Sequence, residues 1–115
     1  MTTKIYYNGK CGTCRNTLAI LTEAGHEPEL INYLKDTPTK EELSSLIDQM
    51  GVEPREAMRA KEAVYKELAL DNPNLSRSEL IEAMVDNPIL IQRPIVVTDK
   101  GAAICRPAEN VKALL

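Results

Sequence analysis

Lys4-Ile5-Tyr6-Tyr7-Asn8-Gly9-Lys10-Cys11-Gly12-Thr13-Cys14-Arg15 passes from a strand to a helix through a pair of thiols. Lys4–Tyr7 is β-prone, and Asn8-Gly9-Lys10 carries the residues that end a strand in a turn. From Thr13 onward Leu18, Ile20, Leu21 and Ala24 recur at helical spacing, and Gly25 supplies a C-terminal stop. Glu29-Leu30-Ile31-Asn32-Tyr33 then alternates polar and apolar side chains as a second strand. Residues 4–33 therefore read as a βαβ unit, with Cys11 and Cys14 at its strand-to-helix junction.

Working outward, Thr39-Lys40-Glu41-Glu42 is a capping box, in which hydroxyl and carboxylate satisfy free amides at a helix start. Leu43, Leu46, Ile47 and Met50 give that helix an apolar face ending at Gly51. Short helices are expected at 54–58 and 63–68. A further one opens with a second box, Ser76-Arg77-Ser78-Glu79, and continues through Leu80, Ile81, Met84 and Val85. Ile95–Thr98 is the strongest strand, and Asp99-Lys100-Gly101 turns it back along 102–105 as an antiparallel hairpin. Arg106-Pro107 breaks that strand, and 108–115 forms a closing helix through Val111, Leu114 and Leu115. The order βαβ, helices, ββα is an α/β arrangement, thioredoxin/glutaredoxin-like in outline. It predicts a four-stranded mixed sheet with a helical insertion at about 39–87, in a single domain spanning residues 1–115.

Composition limits what such a domain does. A chain of 115 residues with 43% hydrophobic and 27% charged residues has the makings of one core, since a stable core needs roughly 100 residues. Without Phe or Trp, and with only four Tyr, stacking platforms for bases are scarce, and a net charge of −3 provides no broad grip on nucleic acid or an anionic membrane. No apolar run approaches the roughly 18 residues of a membrane span, and Met1-Thr2-Thr3-Lys4 does not open a signal sequence; the expected location is the cytoplasm. Cys11, Cys14 and Cys105 are too few for a secreted disulfide scaffold. A structural zinc site wants four ligands, and only Cys105 and His26 remain to join the Cys-x-x-Cys pair, so no metal is expected.

That leaves redox chemistry. A thiol attacks as thiolate, and a helix N-terminus with nearby cations lowers its pKa. Cys11 precedes the first helix and is flanked by Lys10 and Arg15. The amides of Gly12, Thr13 and Cys14 can cradle a tetrahedral oxyanion, with the Thr13 hydroxyl as a further donor and Gly12 permitting close approach. Cys14, one turn on, either faces inward as a small hydrophobe or resolves a mixed disulfide on Cys11. Cys105, at the end of an apolar strand, reads as core.

Cys11-Gly12-Thr13-Cys14-Arg15-Asn16-Thr17-Leu18 resembles the active-site segment of the glutaredoxin-linked arsenate reductases, the ArsC family, which read Cys-Gly-Thr-Ser-Arg-Asn-Thr-Leu. The likeness continues in order and spacing through Asn32-Tyr33-Leu34, Met58-Arg59-Ala60-Lys61, Asn87-Pro88-Ile89, Arg93-Pro94-Ile95 and Cys105-Arg106-Pro107. It implies that Cys11 is the nucleophile and that Arg59, Arg93 and Arg106 handle the oxyanion. Arginine suits that task because its planar fork of donors stays charged and meets two oxygens at once. The resemblance also implies a cis bond before Pro94, a covalent Cys11 adduct with arsenate, no bound cofactor, and glutathione and glutaredoxin as reductants and partners in arsenic detoxification.

Three positions depart from the family pattern: Tyr7 where a His is thought to lower the thiol pKa, Gly9 where Pro is common, and Cys14 in place of Ser. The Cys-x-x-Cys pair is shared with the Spx regulators, which bind RNA polymerase and use it as a redox switch. Cys105-Arg106-Pro107 sides with the reductases. A general thiol-disulfide oxidoreductase is the third reading.

Overall fold

The computed structural model describes residues 3–115. The chain forms two compact units: Thr37–Gln92, and the residues up to Asp36 together with Arg93–Leu115.

In the flanking unit, β1 (Lys4–Tyr7) runs parallel to β2 (Glu29–Asn32), as a helical crossover through α1 (Gly12–Glu23) requires. On its other side β1 pairs antiparallel with β3 (Ile95–Thr98), which forms a hairpin with β4 (Gly101–Ile104). The sheet order is β2-β1-β3-β4, a thioredoxin-like mixed sheet. Gly101 closes the hairpin turn at φ +140°, a conformation that disfavours any Cβ.

Ile5 and Val96 are direct cross-strand partners, and both are fully buried. Leu21 from α1, Cys105, and Val111 and Leu114 from the C-terminal segment complete their cluster. Cys105 is a packing thiol, as expected; burial pushes its pKa up to about 12.

Elements of this unit depart from the sequence reading in extent and in type. The strand expected to reach Tyr33 stops at Asn32, because the Asn32 carbonyl accepts from the Lys35 and Asp36 amides while its side chain accepts from the Leu34 amide at 3.2 Å. That turn pulls the chain off the sheet. The closing segment Ala108–Leu114 is a 3-10 helix rather than an α-helix, since so short a run offers little propagation to offset nucleation.

The unit Thr37–Gln92 takes in the helical region, with α2 (Lys40–Met50), α3 (Ala63–Glu67) and α4 (Arg77–Asp86). Both capping boxes form: Thr39 Oγ1 accepts from the Glu42 amide at 3.1 Å, and Ser76 Oγ from the Glu79 amide at 3.1 Å. Each cap contributes about 1 kcal/mol. Gly51 ends α2 in the left-handed region at φ +68°. The helix expected at 54–58 is a single 3-10 turn, Pro54–Ala57, opened by the proline. α4 packs on α2 and on the 3-10 turns Pro54–Ala57 and Pro88–Leu90, and Arg77 Nη2 ties α4 to Asp48 of α2 at 2.8 Å. A bridge between Met58 and Ile91 joins the two ends of this unit, with the Arg59 amide donating to the Leu90 carbonyl at 2.7 Å.

Candidate active site

Topology gathers one end of the sheet. The loop after β1 carries Cys11, and because β3 is antiparallel to β1, Arg93 just before β3 lies at the same end. The β3–β4 register pairs Ile95 with Ile104, which returns Arg106 there too, and the parallel β2 brings in Tyr33. Residues distant in sequence thus meet because of strand direction alone.

Local hydrogen bonds set the thiol. Asn8 fixes the loop, accepting from the Lys10 amide through its side chain and from the Cys11 amide through its carbonyl, each at 2.9 Å. Cys11 then occupies the N-cap of α1 in extended conformation, and its Sγ accepts from the Cys14 amide at 3.3 Å, in the role usually taken by a Ser or Asp oxygen. Helix geometry leaves the Gly12 and Thr13 amides without an intrahelical partner beside that sulfur. A Cβ on Gly12 would meet only Arg15 Nη2, at 3.8 Å, so nothing within the protein demands glycine there; closeness to a bound anion would.

Two arginines face the thiol. Arg106 Nη1 lies 3.8 Å from Cys11 Sγ and donates to the Arg93 carbonyl at 3.1 Å, locking one arginine onto the backbone of the other. The Arg93 guanidinium faces Cys11 and Tyr33, and although burial works against its charge, those neighbours raise its pKa. Arg93 Nε is buried with no hydrogen-bond partner among the described residues. For Cys11, burial pushes the thiol up, but bonds from the Cys14 thiol and amide, together with Arg93, outweigh it and bring the pKa down from 9.0 to about 7.

The sequence reading needs correction on the source of this activation. Arg15, expected to lend its charge to Cys11, directs its guanidinium to the Gly9 carbonyl at 3.1 Å, and Lys10 is exposed. Tyr7, at the place of the family's histidine, packs against the apolar cluster. Arg93 and the helix cap supply what those neighbours do not. Both arginines precede cis peptide bonds, Arg93–Pro94 as expected and Arg106–Pro107 in addition.

Tyr33 is the site residue that sequence reasoning passed over: fully buried just after β2, it acts on the Arg93 guanidinium and raises its pKa. Its one signal was its place in the Asn32-Tyr33-Leu34 motif. Arg59 belongs to the other unit, where its Nε lies 3.6 Å from Glu62 Oε1. Among the described residues, no cluster of three His, Cys, Asp or Glu side chains could hold a metal ion, and no helix is long and apolar enough to cross a membrane.

The reactivity of this site follows from its charge. Because the thiol loses its proton near pH 7, alkylation of Cys11 by iodoacetamide should rise through a midpoint of about 7. Cys14 and Cys105, held up to about 11 and about 12, should stay unmodified over the same range, and mapping of the labelled peptides checks this. Equal labelling of Cys11 and Cys14 at neutral pH would contradict the assignment.

A thioredoxin-like sheet presenting a helix-capping thiol to two arginines defines this chain as a thioredoxin-like thiol enzyme. Within it, residues 6–114 match the ArsC family. An arsenate reductase of Rhizobium meliloti (strain 1021) is 46% identical over 115 residues, covering 100% of this chain and 82% of that protein. The arsenate reductase of Escherichia coli (strain K12) is 45% identical over 111 residues, covering 96% of this chain and 79% of that one. The solved structure of an arsenate reductase from Vibrio cholerae superposes with a TM-score of 0.96 at 46% identity, covering 100% of this chain and 98% of the other. The chain belongs to the ArsC family.

Proposed function

We propose that this chain is an arsenate reductase in which the Cys11 thiolate attacks arsenate held by Arg93 and Arg106. The observation that carries the reading is the pairing of a thiol 3.8 Å from Arg106 Nη1 with a buried Arg93 Nε that has no partner among the described residues. A buried donor left unmatched is costly, and an oxyanion beside the sulfur would match it.

The sulfur forms a bond to arsenic as one arsenate oxygen departs, leaving as water once protonated. The Gly12 and Thr13 amides and the arginine forks bear the charge of the adduct, a role supported by the free amides of a helix start and by the fixed charge of arginine. Arg59 serves as the third oxyanion ligand, a role that rests on the family motif Met58-Arg59-Ala60-Lys61. Glutathione then displaces a second oxygen from the arsenic, which leaves as water, and a glutaredoxin thiolate attacks the glutathione sulfur, breaking its bond to arsenic and carrying glutathione off as a mixed disulfide. The electron pair left behind takes arsenic from the +5 to the +3 state, and hydrolysis releases arsenite from Cys11. The reaction needs no prosthetic group. It requires free thiols, and Cys11, Cys14 and Cys105 are all unpaired, which suits the reducing cytoplasm.

The test is arsenate-dependent NADPH consumption by the purified chain with glutathione, glutaredoxin and glutathione reductase. Consumption that requires arsenate, the chain and glutaredoxin together is expected. No consumption above the rate without the chain would overturn the reading.

A further inference from the structure

Cys14 is a second thiol at this site that the glutathione-dependent cycle leaves without a task. It is 2% exposed, yet its surroundings are not those of a packing residue. Cys105 shows what a packing thiol looks like in this fold: it sits in the apolar cluster with Ile5, Leu21 and Val96. Cys14 instead lies against the nucleophile. Its amide donates to Cys11 Sγ at 3.3 Å, and its thiol lies close enough to Cys11, and to the Asn8 backbone in the loop that precedes Cys11, for both to act on its pKa. Residues three apart at the first turn of a helix are neighbours, and the extended N-cap conformation of Cys11, φ −91° and ψ 116°, brings its side chain back over that turn. The two thiols thus share the first turn of α1, and both are reduced.

We propose that Cys14 is a resolving thiol, so that this chain can complete arsenate reduction on its own and end as a Cys11–Cys14 disulfide. The proposal rests on the reading of the chain as an arsenate reductase. Cys11 thiolate first displaces an arsenate oxygen, which leaves as water. Cys14 passes its proton to an oxygen of the adduct and attacks Cys11 Sγ. The new S–S bond forms as the S–As bond breaks, and the electron pair of that bond stays on arsenic, which leaves as arsenite. One arsenate and two thiols give one arsenite, one disulfide and one water. An external dithiol then reopens the disulfide.

The order of events is built into the charges. Burial chiefly, and the neighbouring Cys11 anion in addition, hold the Cys14 thiol up at about 11, so it does not compete for arsenate. Once Cys11 sulfur is bonded to arsenic its negative charge is gone. The Asn8 amide, which favours the Cys14 anion, remains in place.

The experiment is a single turnover of the reduced chain with arsenate and no other thiol, followed by arsenite measurement and peptide mapping of disulfides. The expected result is about one arsenite per chain, matched by a Cys11–Cys14 disulfide, with Cys105 still alkylatable. Cys14→Ser should lower this thiol-free arsenite yield at least tenfold or so, and Cys105→Ser should leave it unchanged. Because the mapping is made on the unaltered chain, a poorly folded variant does not blunt the test. Activity in the glutaredoxin-coupled assay with no thiol-free arsenite overturns the proposal and leaves the reductase reading standing, as does a disulfide between two chains. Inactivity in both assays overturns both.

Discussion

Cys11→Ser is expected to abolish arsenate reduction, lowering kcat/KM by on the order of 10³ or more, because a serine hydroxyl at the same N-cap is not ionised at neutral pH. The substitution is a sharp one in this structure. Serine is itself a good N-cap, so it keeps the bond from the Cys14 amide that Cys11 Sγ now accepts at 3.3 Å, and α1 should start unchanged. Thermal unfolding should therefore move little while activity disappears. The residual rate reads the contribution of the anion cradle without its nucleophile. Arsenate binding measured by calorimetry should survive in the variant, since Arg93, Arg106 and the Gly12 and Thr13 amides are untouched. Activity retained within tenfold or so would mean that another thiol is attacked first, and neither Cys14 nor Cys105, at about 11 and about 12, is ionised enough at neutral pH to qualify.

Much of this was legible in the sequence because local rules wrote it. Capping boxes at Thr39 and Ser76, the stop at Gly51 and the β-branched run from Ile95 each concern residues within a few positions of one another, and each element formed close to its expected bounds. Cys11 was readable for the same reason, since a helix N-cap is a local property. What escaped was set by strand pairing. Lys10 and Arg15 were the natural candidates to charge the thiol, being its neighbours in the chain, whereas the guanidinium that lowers its pKa stands on Arg93, brought across by the antiparallel β1–β3 register. Single-sequence periodicity carries no information on which strand lies beside which. Only the family motifs singled out Arg93 and Arg106, and the same motifs held Tyr33 without saying why. The structure supplies the reason: a buried tyrosine just after β2 sits beside the arginine and favours its charge. The 3-10 character of Pro54–Ala57 and Ala108–Leu114 likewise depends on tertiary confinement of short segments.

Arg93 should be the residue at which activation of the thiol and binding of the anion come apart. Arg93→Ala removes a positive charge that favours the Cys11 anion while leaving the larger help of Cys14 in place, so the thiol pKa should climb from about 7 part of the way toward the ordinary 9.0, and the midpoint of iodoacetamide labelling should move up with it. It also removes donors aimed at the oxyanion, a loss that typically costs on the order of 10²–10³ in rate. The two effects respond differently to pH. Raising the pH restores the thiolate and with it the labelling rate, but arsenate turnover should stay depressed because the missing fork does not return. Arg93→Lys sharpens the separation: an ammonium keeps the charge beside the sulfur, holding the labelling midpoint near its original place, yet as a point charge it cannot engage two oxygens together. Its kcat/KM for arsenate should therefore remain low at every pH. If Arg93→Lys restored turnover along with the labelling profile, charge alone would be at work and the bidentate grip on arsenate would be wrong. If Arg93→Ala left both unchanged, Arg106, whose Nη1 lies 3.8 Å from Cys11 Sγ, would be carrying the site by itself.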